Sequence, residues 1–258
     1  MRYFFAIFFI LSGFLALISI PVYEDAGMVI FENPSEISNS IYYFLLIIFF
    51  TAFVLFAVKY KKFLTFTIQF LVFLSIFYVL YPFAGIFSLF VALIIMILLL
   101  IKPHWSVIDF AALMLAAGIS AIFGISLEPT PVIVLMVILA IYDVLAVYKT
   151  KHMIRLAESV TDLRAPMLFV LPSNGKEAYM GVGDVVMPCI LAVSAQKFLN
   201  AATISFIKIP AIATLLGSVI ALIILIRILE KKGGAYPGLP FVNSGAIAGY
   251  LVSLLIFT

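Results

Sequence analysis

The sequence is short of charge, of cysteine and of histidine. Only 10% of its 258 residues are Asp, Glu, Lys or Arg, whereas a soluble domain has about 25%. The single cysteine, Cys189, excludes an intrachain disulfide and a thiolate metal cluster. The histidines, His104 and His152, lie far apart and form no zinc motif, so we expect no metal and no cofactor. The modest net charge of +3 indicates no nucleic-acid partner.

Hydrophobic residues are abundant instead, at 66% of the chain. This composition predicts an integral membrane protein that lies in the lipid bilayer. A transmembrane helix needs about 20 mostly apolar residues, and nine such stretches can be delimited. In chain order they are Tyr3–Ile20, Ile41–Val58, Phe63–Leu80, Phe83–Ile101, Ser106–Ile125, Pro131–Tyr148, Val182–Leu199, Ile209–Leu229 and Leu239–Phe257.

The predicted fold is therefore an all-α polytopic membrane protein with nine transmembrane helices in one domain, residues 1–258. Six helices occupy about residues 1–148, a connecting segment about 149–181, and three helices about 182–258. The first stretch is longer than the apolar core of a signal peptide, about 7–15 residues, so we interpret it as a helix. We expect a tight turn at Tyr81-Pro82 between the third and fourth helices.

The distribution of basic residues predicts the orientation. If the N-terminus is cytoplasmic, all Lys and Arg residues except Lys197 and Lys208 fall on the inner side. Lys and Arg are enriched in cytoplasmic loops. We therefore expect a multi-pass protein of the cell membrane with its N-terminus in the cytoplasm and its C-terminus outside.

Three acids lie at or in the predicted spans, and two of them, Asp143 and Asp184, have no simple local explanation. Asp143 precedes Lys149 by six residues, which places it about 9 Å from the inner end of the sixth helix. Asp184 follows Lys176 by eight residues, at the inner end of the seventh helix. These helices run antiparallel, so the two side chains can lie at similar depth. An ionisable residue inside a membrane is costly and indicates a functional site.

Two chemistries are compatible with such a pair. Neighbouring carboxylates at low dielectric share a proton, so one can activate water while the other protonates a peptide carbonyl. The same pair can also serve a proton- or cation-coupled transporter. A prepilin-peptidase-like enzyme is a third reading, which the number of helices and the Pro237–Pro240 segment disfavour.

The glycines and prolines near the predicted spans suggest close approach of backbone. Gly181 and Gly183 lack a side chain, so another backbone can come near Asp184. Pro237 and Pro240 flank Gly238 and Leu239, which keeps the start of the ninth helix irregular. Irregular backbone at membrane depth is tolerated where it is buried in protein or lines a watery cavity.

A third acid and the connecting segment complete the prediction. Ser106 and Asp109 match a helix N-cap followed by an acidic residue, which favours a structural role for Asp109. Residues 153–163 show the spacing of a short amphipathic helix. A strand is predicted by the apolar run that follows, which could pair with an unwound substrate. That run is Met167, Leu168, Phe169, Val170 and Leu171.

Three motifs together resemble the intramembrane aspartyl proteases, the presenilin and signal peptide peptidase family. Tyr142-Asp143, Gly181-Val182-Gly183-Asp184 and Pro237-Gly238-Leu239 look like its Tyr-Asp, Gly-x-Gly-Asp and Pro-Ala-Leu motifs. The residues of these motifs combine features of presenilin and of signal peptide peptidase. This combination and the small size of the chain are similar to archaeal or bacterial presenilin homologues. Gly238 departs from the family's alanine, but a small residue is kept.

The resemblance implies an aspartic endopeptidase that hydrolyses peptide bonds within transmembrane helices of membrane proteins or signal peptides. Asp143 and Asp184 would be its catalytic pair. Tyr142, Gly181, Gly183 and the segment from Pro237 to Pro240 would shape the site, without a metal. The connecting segment is short beside that of presenilin, so the resemblance leaves autoproteolytic activation open. The sequence leaves the oligomeric state open, a homo-oligomer included.

Overall fold

The computed structural model describes residues 4–57, 60–101, 104–146, 167–173, 176–232 and 237–257. Within these ranges the chain forms nine α-helices, one short 3-10 turn and two small antiparallel sheets. The helices are α1 Phe5–Asp25, α2 Ser38–Ala57, α3 Lys61–Ala84, α4 Ser88–Ile101, α5 Trp105–Ser126, α6 Pro129–Leu145, α7 Val182–Phe198, α8 Ile209–Lys232 and α9 Gly238–Phe257.

Five helical segments of the described residues are long and apolar enough to cross a membrane. They comprise α1, the segment containing α3 and α4, and the helices α5, α8 and α9, while α2 and α6 are shorter apolar helices. The predicted helical membrane architecture is confirmed. The number of nine spans stays a prediction.

The chain reverses between α3 and α4 at Gly85 rather than at Tyr81-Pro82, so the predicted turn is wrong. Helix α3 continues through Pro82 to Ala84, and the 3-10 turn Gly85–Phe87 follows. Gly85 has a φ of +54°, in the left-handed region, which glycine adopts at little cost. Pro82 lacks the N–H that would bond to the Tyr78 carbonyl, yet α3 continues for two residues beyond it.

Helix α1 also runs past its predicted end, through Pro21 to Asp25. The added turn carries Tyr23, whose side chain is buried and donates a hydrogen bond to the Val79 carbonyl at 2.8 Å. This long-range bond anchors the last turn of α1 against α3, which the local sequence pattern did not reveal.

Helix α7 lies at the centre of the fold. It packs against α1, α5, α6, α8 and α9, and every residue from Val185 to Ala195 is buried. A helix enclosed on all sides has no polar face, which explains its continuous apolar sequence. Helices α2, α3 and α4 instead expose large side chains such as Phe49, Phe66 and Ile101, which suits contact with lipid.

A β-hairpin precedes α7. Strand β1, Leu168–Ser173, pairs antiparallel with β2, Lys176–Gly181, from Leu168 opposite Gly181 to Ser173 opposite Lys176. The sequence indicated only the first of these strands. Strand β2 runs directly into α7, so the hairpin determines where α7 begins. The predicted amphipathic helix at 153–163 lies outside the described residues.

A second, smaller hairpin joins α7 to α8. Strand β3, Thr203–Ile204, pairs with β4, Ile207–Lys208. Nearby, Lys197 forms an ion pair with Glu24 at 2.5 Å. This pair and the small hairpin lie at the end of α7 opposite to Asp184.

Candidate active site

Asp143 lies in the last turn of α6 and is buried, with 3% of its surface exposed. Its Oδ2 accepts a hydrogen bond from the Leu239 backbone N–H at 3.2 Å. Leu239 belongs to the first turn of α9, where N–H groups have no partner within the helix. The carboxylate of α6 therefore caps the N-terminus of α9.

Asp184 lies in the first turn of α7, directly after β2. Gly181 is the N-cap and has an extended backbone, with φ −62° and ψ 134°. The Asp184 side chain is half-buried. Because the N-terminus of a helix carries partial positive charge, this position favours a carboxylate.

Both carboxylates meet at the dipeptide Gly238-Leu239. Asp143 binds the N–H of Leu239. A Cβ atom placed on Gly238 would lie 2.8 Å from Asp184 Oδ2 and 3.1 Å from its Cγ. The start of α9 thus lies between the two acids, which are close enough for their charges to interact.

The other residues predicted for the site differ in how closely they approach Gly238-Leu239 and the two acids. Pro237 is buried and directly precedes α9. A Cβ on Gly181 would lie 3.4 Å from Asp184 Oδ2, whereas one on Gly183 would meet nothing within 4 Å. Tyr142 instead faces α2, where its ring meets Phe44 edge to face with centroids 6.0 Å apart.

Two cavities adjoin these residues. One, of about 390 Å³, is lined by β2, Asp184 and Gly238 together with side chains of α8. The other, of about 530 Å³, is apolar and lies among α2, α3, α5, α6 and α7. Gly183, Leu239 and Met167 line this apolar cavity. Space for a peptide segment therefore exists beside Asp184, and the apolar cavity adjoins Leu239, whose N–H binds Asp143.

The predicted strand residues lie at the edge of this region. Leu168, Phe169, Val170 and Leu171 belong to β1, and Met167 precedes it. Phe169 is fully buried and its ring stacks on Phe8 with centroids 5.1 Å apart. The strand is therefore fixed against α1 as well as against β2.

Two buried polar residues near the site make contacts that were not predicted: Asn243 was not identified from the sequence, and Asp109 was identified but with another role. Asn243 of α9 donates from Nδ2 to the Met136 carbonyl of α6 at 2.9 Å, one helical turn beyond Leu239. Asp109 of α5 accepts a hydrogen bond from the backbone N–H of Val170. In both cases a polar residue inside an apolar span was the available signal.

The predicted N-cap at Ser106, with Asp109 three residues later, is wrong. His104 is the N-cap of α5, and its ring accepts a hydrogen bond from the Ser106 N–H at 3.4 Å. The N-cap of α5 therefore lies five residues before Asp109, whose side chain is buried and contacts β1 instead.

The residues described by the structure contain no group of three or more His, Cys, Asp and Glu side chains that could hold a metal ion. The candidate site itself offers two carboxylates, the backbone N–H groups at the start of α9 and the adjoining cavities.

A sequence model of the family described as signal-peptide peptidase, presenilin aspartyl protease matches residues 6–258. The chain belongs to this family. Two solved structures of a presenilin family intramembrane aspartate protease, in space groups C222 and P2, are each 32% identical to it. Their TM-scores are 0.78 and 0.76, and the matches cover 97% of this chain and 97% and 96% of theirs. A comparison with curated proteins returned no match.

The family membership confirms the class of enzyme predicted from the three motifs. The protein is an intramembrane aspartic endopeptidase and a multi-pass membrane protein with a presenilin-like fold. The family acts on transmembrane substrates in the bilayer. The transporter reading of the Asp pair is not favoured.

Proposed function

We propose that Asp143 and Asp184 are the catalytic pair of this protease and hydrolyse peptide bonds within transmembrane helices of membrane proteins or signal peptides. The observation that carries this assignment is the convergence of the two carboxylates on Gly238-Leu239, the first of them by a hydrogen bond. Among the acids of the described spans, these two are the pair whose charges interact.

One carboxylate takes a proton from water as the water oxygen attacks the scissile carbonyl carbon. The other gives its proton to the carbonyl oxygen, which leaves an uncharged tetrahedral diol. Collapse of the diol transfers a proton to the amide nitrogen, breaks the C–N bond and releases an amine and a carboxylic acid. The cycle needs no metal and no cofactor, because proton transfer supplies all of the activation.

The start of α9 positions this chemistry. Leu239 holds the Asp143 carboxylate by its N–H, and Gly238 admits the Asp184 carboxylate because it has no Cβ. Pro237 and Pro240 lack backbone donors, so in this segment only Gly238 and Leu239 have N–H groups to offer to a carboxylate. We assign Gly181 and Gly183 to the wall of the substrate cleft.

A substrate helix must unwind before cleavage, and its freed backbone groups then need partners. An extended peptide can obtain them by joining the edge of a sheet. The run from Met167 to Leu171 supplies β1 of the hairpin, but the cavity beside Asp184 is lined by β2, from Glu177 to Gly181. We therefore assign substrate pairing to the hairpin through the edge of β2.

Two further features follow from the sequence pattern. The bias of Lys and Arg toward one side supports a cytoplasmic N-terminus and an outer C-terminus. Strong packing of α7 against helices from both parts of the chain supports one protease domain over residues 1–258. Under this orientation the catalytic pair lies toward the cytoplasmic side.

The test is cleavage of a single-span substrate by the purified full chain in detergent. Wild type should cleave it, and Asp143→Asn and Asp184→Asn should each abolish product formation. Both variants should elute as wild type in size exclusion and keep a similar Tm. Glu24→Gln, which changes an acid paired with Lys197 at the opposite end of α7, should cleave normally. Cleavage that persists in either Asp variant would refute the assignment.

A further inference from the structure

The hairpin before α7 has two edges in different surroundings. One edge of β2 lines the cavity that contains Asp184 and Gly238. Strand β1 packs against α5, the helix that carries Asp109. An extended peptide needs a sheet edge with accessible backbone groups, so the state of each edge decides where a peptide can bind.

The alternation of hydrogen-bonded and non-bonded residue pairs in the hairpin determines which backbone groups of β1 point away from β2. The Val182 N–H donates to the Met167 carbonyl at 3.1 Å, which continues the ladder one pair beyond Leu168 and Gly181. Bonded and non-bonded pairs alternate in an antiparallel ladder. Val170, three positions from Met167, therefore directs its N–H away from β2.

That outward N–H has a specific partner. Val170 donates to Asp109 Oδ1 at 2.7 Å, across a sequence separation of 61 residues. The next outward position on β1 is Pro172, opposite Glu177, and proline has no N–H to offer. The α5-facing edge of β1 is thus closed by a carboxylate at one position and by a proline at the next.

Burial of Asp109 costs folding free energy that a purely structural contact does not require. Only 2% of its surface is exposed, and its Oδ2 is buried without a hydrogen-bond partner in the described parts of the chain. A carboxylate inside a span with only one of its two oxygens hydrogen-bonded lowers the stability of the fold. The end of α5 does not require it either, since His104 caps that helix.

We propose that Asp109 is a positioning residue: its carboxylate holds the Val170 N–H, closes the outer edge of β1 against α5, and so fixes the hairpin with the β2 edge beside Asp184. The proposal rests on the proposed function, because it concerns how a substrate strand is aligned. Asp109 acts through the hairpin and does not touch the reacting atoms. Loss of its acceptor frees a second sheet edge and loosens the alignment.

Hydrogen exchange of the purified full chain in detergent tests the contact directly. In Asp109→Ala the amide of Val170 should exchange about tenfold faster than in wild type, because it loses its acceptor. Asp109→Asn keeps a carbonyl oxygen at this position and should restore most of the protection. Ser126→Ala serves as the control: Ser126 is buried at the other end of α5 and accepts a bond from the Ile30 N–H. The control should leave the exchange of Val170 unchanged.

Product analysis by mass spectrometry tests the alignment. Asp109→Ala should raise KM and spread cleavage over several neighbouring bonds, while Asp109→Asn should cut mainly at the wild-type bond. Protection of Val170 that is equal in Asp109→Ala and wild type would overturn the proposal. A wild-type cleavage pattern in Asp109→Ala would overturn it as well. If wild type fails to cleave at all, the proposed function fails, and the exchange result still decides whether Asp109 holds the hairpin.

Discussion

Helix α9 makes two kinds of close contact, and both depend on glycine. At its start, Gly238 faces the carboxylate of Asp184, with cavities on either side. Further along, Gly245 and Gly249 press against the backbone of α8 around Gly217, where a Cβ on Gly217 would overlap the Gly245 carbonyl oxygen. The first contact is with a side chain that can turn, and the second is with backbone that cannot.

This difference separates chemistry from packing within one helix. Small residues let helix backbones approach closely in a membrane, where packing drives association. At Gly238 the same lack of a side chain instead leaves room for a reactive group. The four substitutions that follow should therefore divide into those that lower stability and those that lower cleavage.

The largest effect is expected from Gly217→Val. Its side chain would meet the backbone of Gly245 and, with a Cβ only 3.2 Å from it, the Cα of Gly249. Overpacking of this kind costs about 3 kcal/mol, so Tm in detergent should fall and cleavage should fall with it. Leu216→Val is the matched control on the same helix, since Leu216 is 56% exposed. Equal Tm values in the two variants would contradict a close α8–α9 contact.

Gly238→Val should instead lower cleavage and leave stability nearly unchanged. The added methyl groups displace the Asp184 carboxylate, and a misplacement of about 1 Å lowers kcat about 100-fold. Because the neighbour is a side chain beside a cavity, Tm should stay near the wild-type value. Gly238→Ala is the matched variant: its single added carbon meets only the end of the Asp184 side chain and needs a much smaller shift of it, so cleavage should fall far less than in Gly238→Val. A fall in Tm as large as that of Gly217→Val would remove the distinction between the two contacts.

The helices and the two acids could be predicted from the sequence because the patterns that indicate them are local. Apolar stretches of about 20 residues and carboxylates inside them can be recognised without knowing the fold. The structure then brings Asp143 and Asp184 to the same dipeptide, 95 and 54 residues away from them along the chain.

The hairpin and the role of Asp109 were not predictable in the same way. Strand β2 contains Lys176, Glu177 and Gly181, residue types that are depleted in strands, and it forms because β1 is its partner. Asp109 fitted a local capping pattern, but its actual partner, Val170, is 61 residues away. Neither long-range contact leaves a periodic signal in a single sequence.

A smaller effect is expected from Asn243→Leu, which lies between the two glycine contacts. The change removes the hydrogen bond from Asn243 to the Met136 carbonyl, which links α9 to the helix of Asp143. A typical buried hydrogen bond contributes about 1 kcal/mol, so Tm should fall slightly. The rate of cleavage should fall severalfold, because Leu239 lies one turn away on the same face of α9.

The control for this variant is Ser253→Ala. Ser253 is also buried on α9, but its hydroxyl bonds only to the Tyr250 carbonyl of the same helix. Its loss should lower Tm to a similar extent without affecting cleavage. If both variants cleave like wild type, the link between α6 and α9 does not set the position of Leu239.

The smallest effect is expected from Gly183→Ala, which tests the cleft without disturbing either contact. A Cβ on Gly183 meets nothing within 4 Å and points toward the apolar cavity that Gly183 lines. Alanine has a higher helix propensity than glycine, so Tm should stay the same or rise slightly. If substrate occupies this cavity, the methyl group should raise KM about fivefold, equivalent to about 1 kcal/mol of binding, with kcat unchanged. A fall in kcat with KM unchanged would instead place Gly183 beside the reacting atoms rather than in the wall of the cleft.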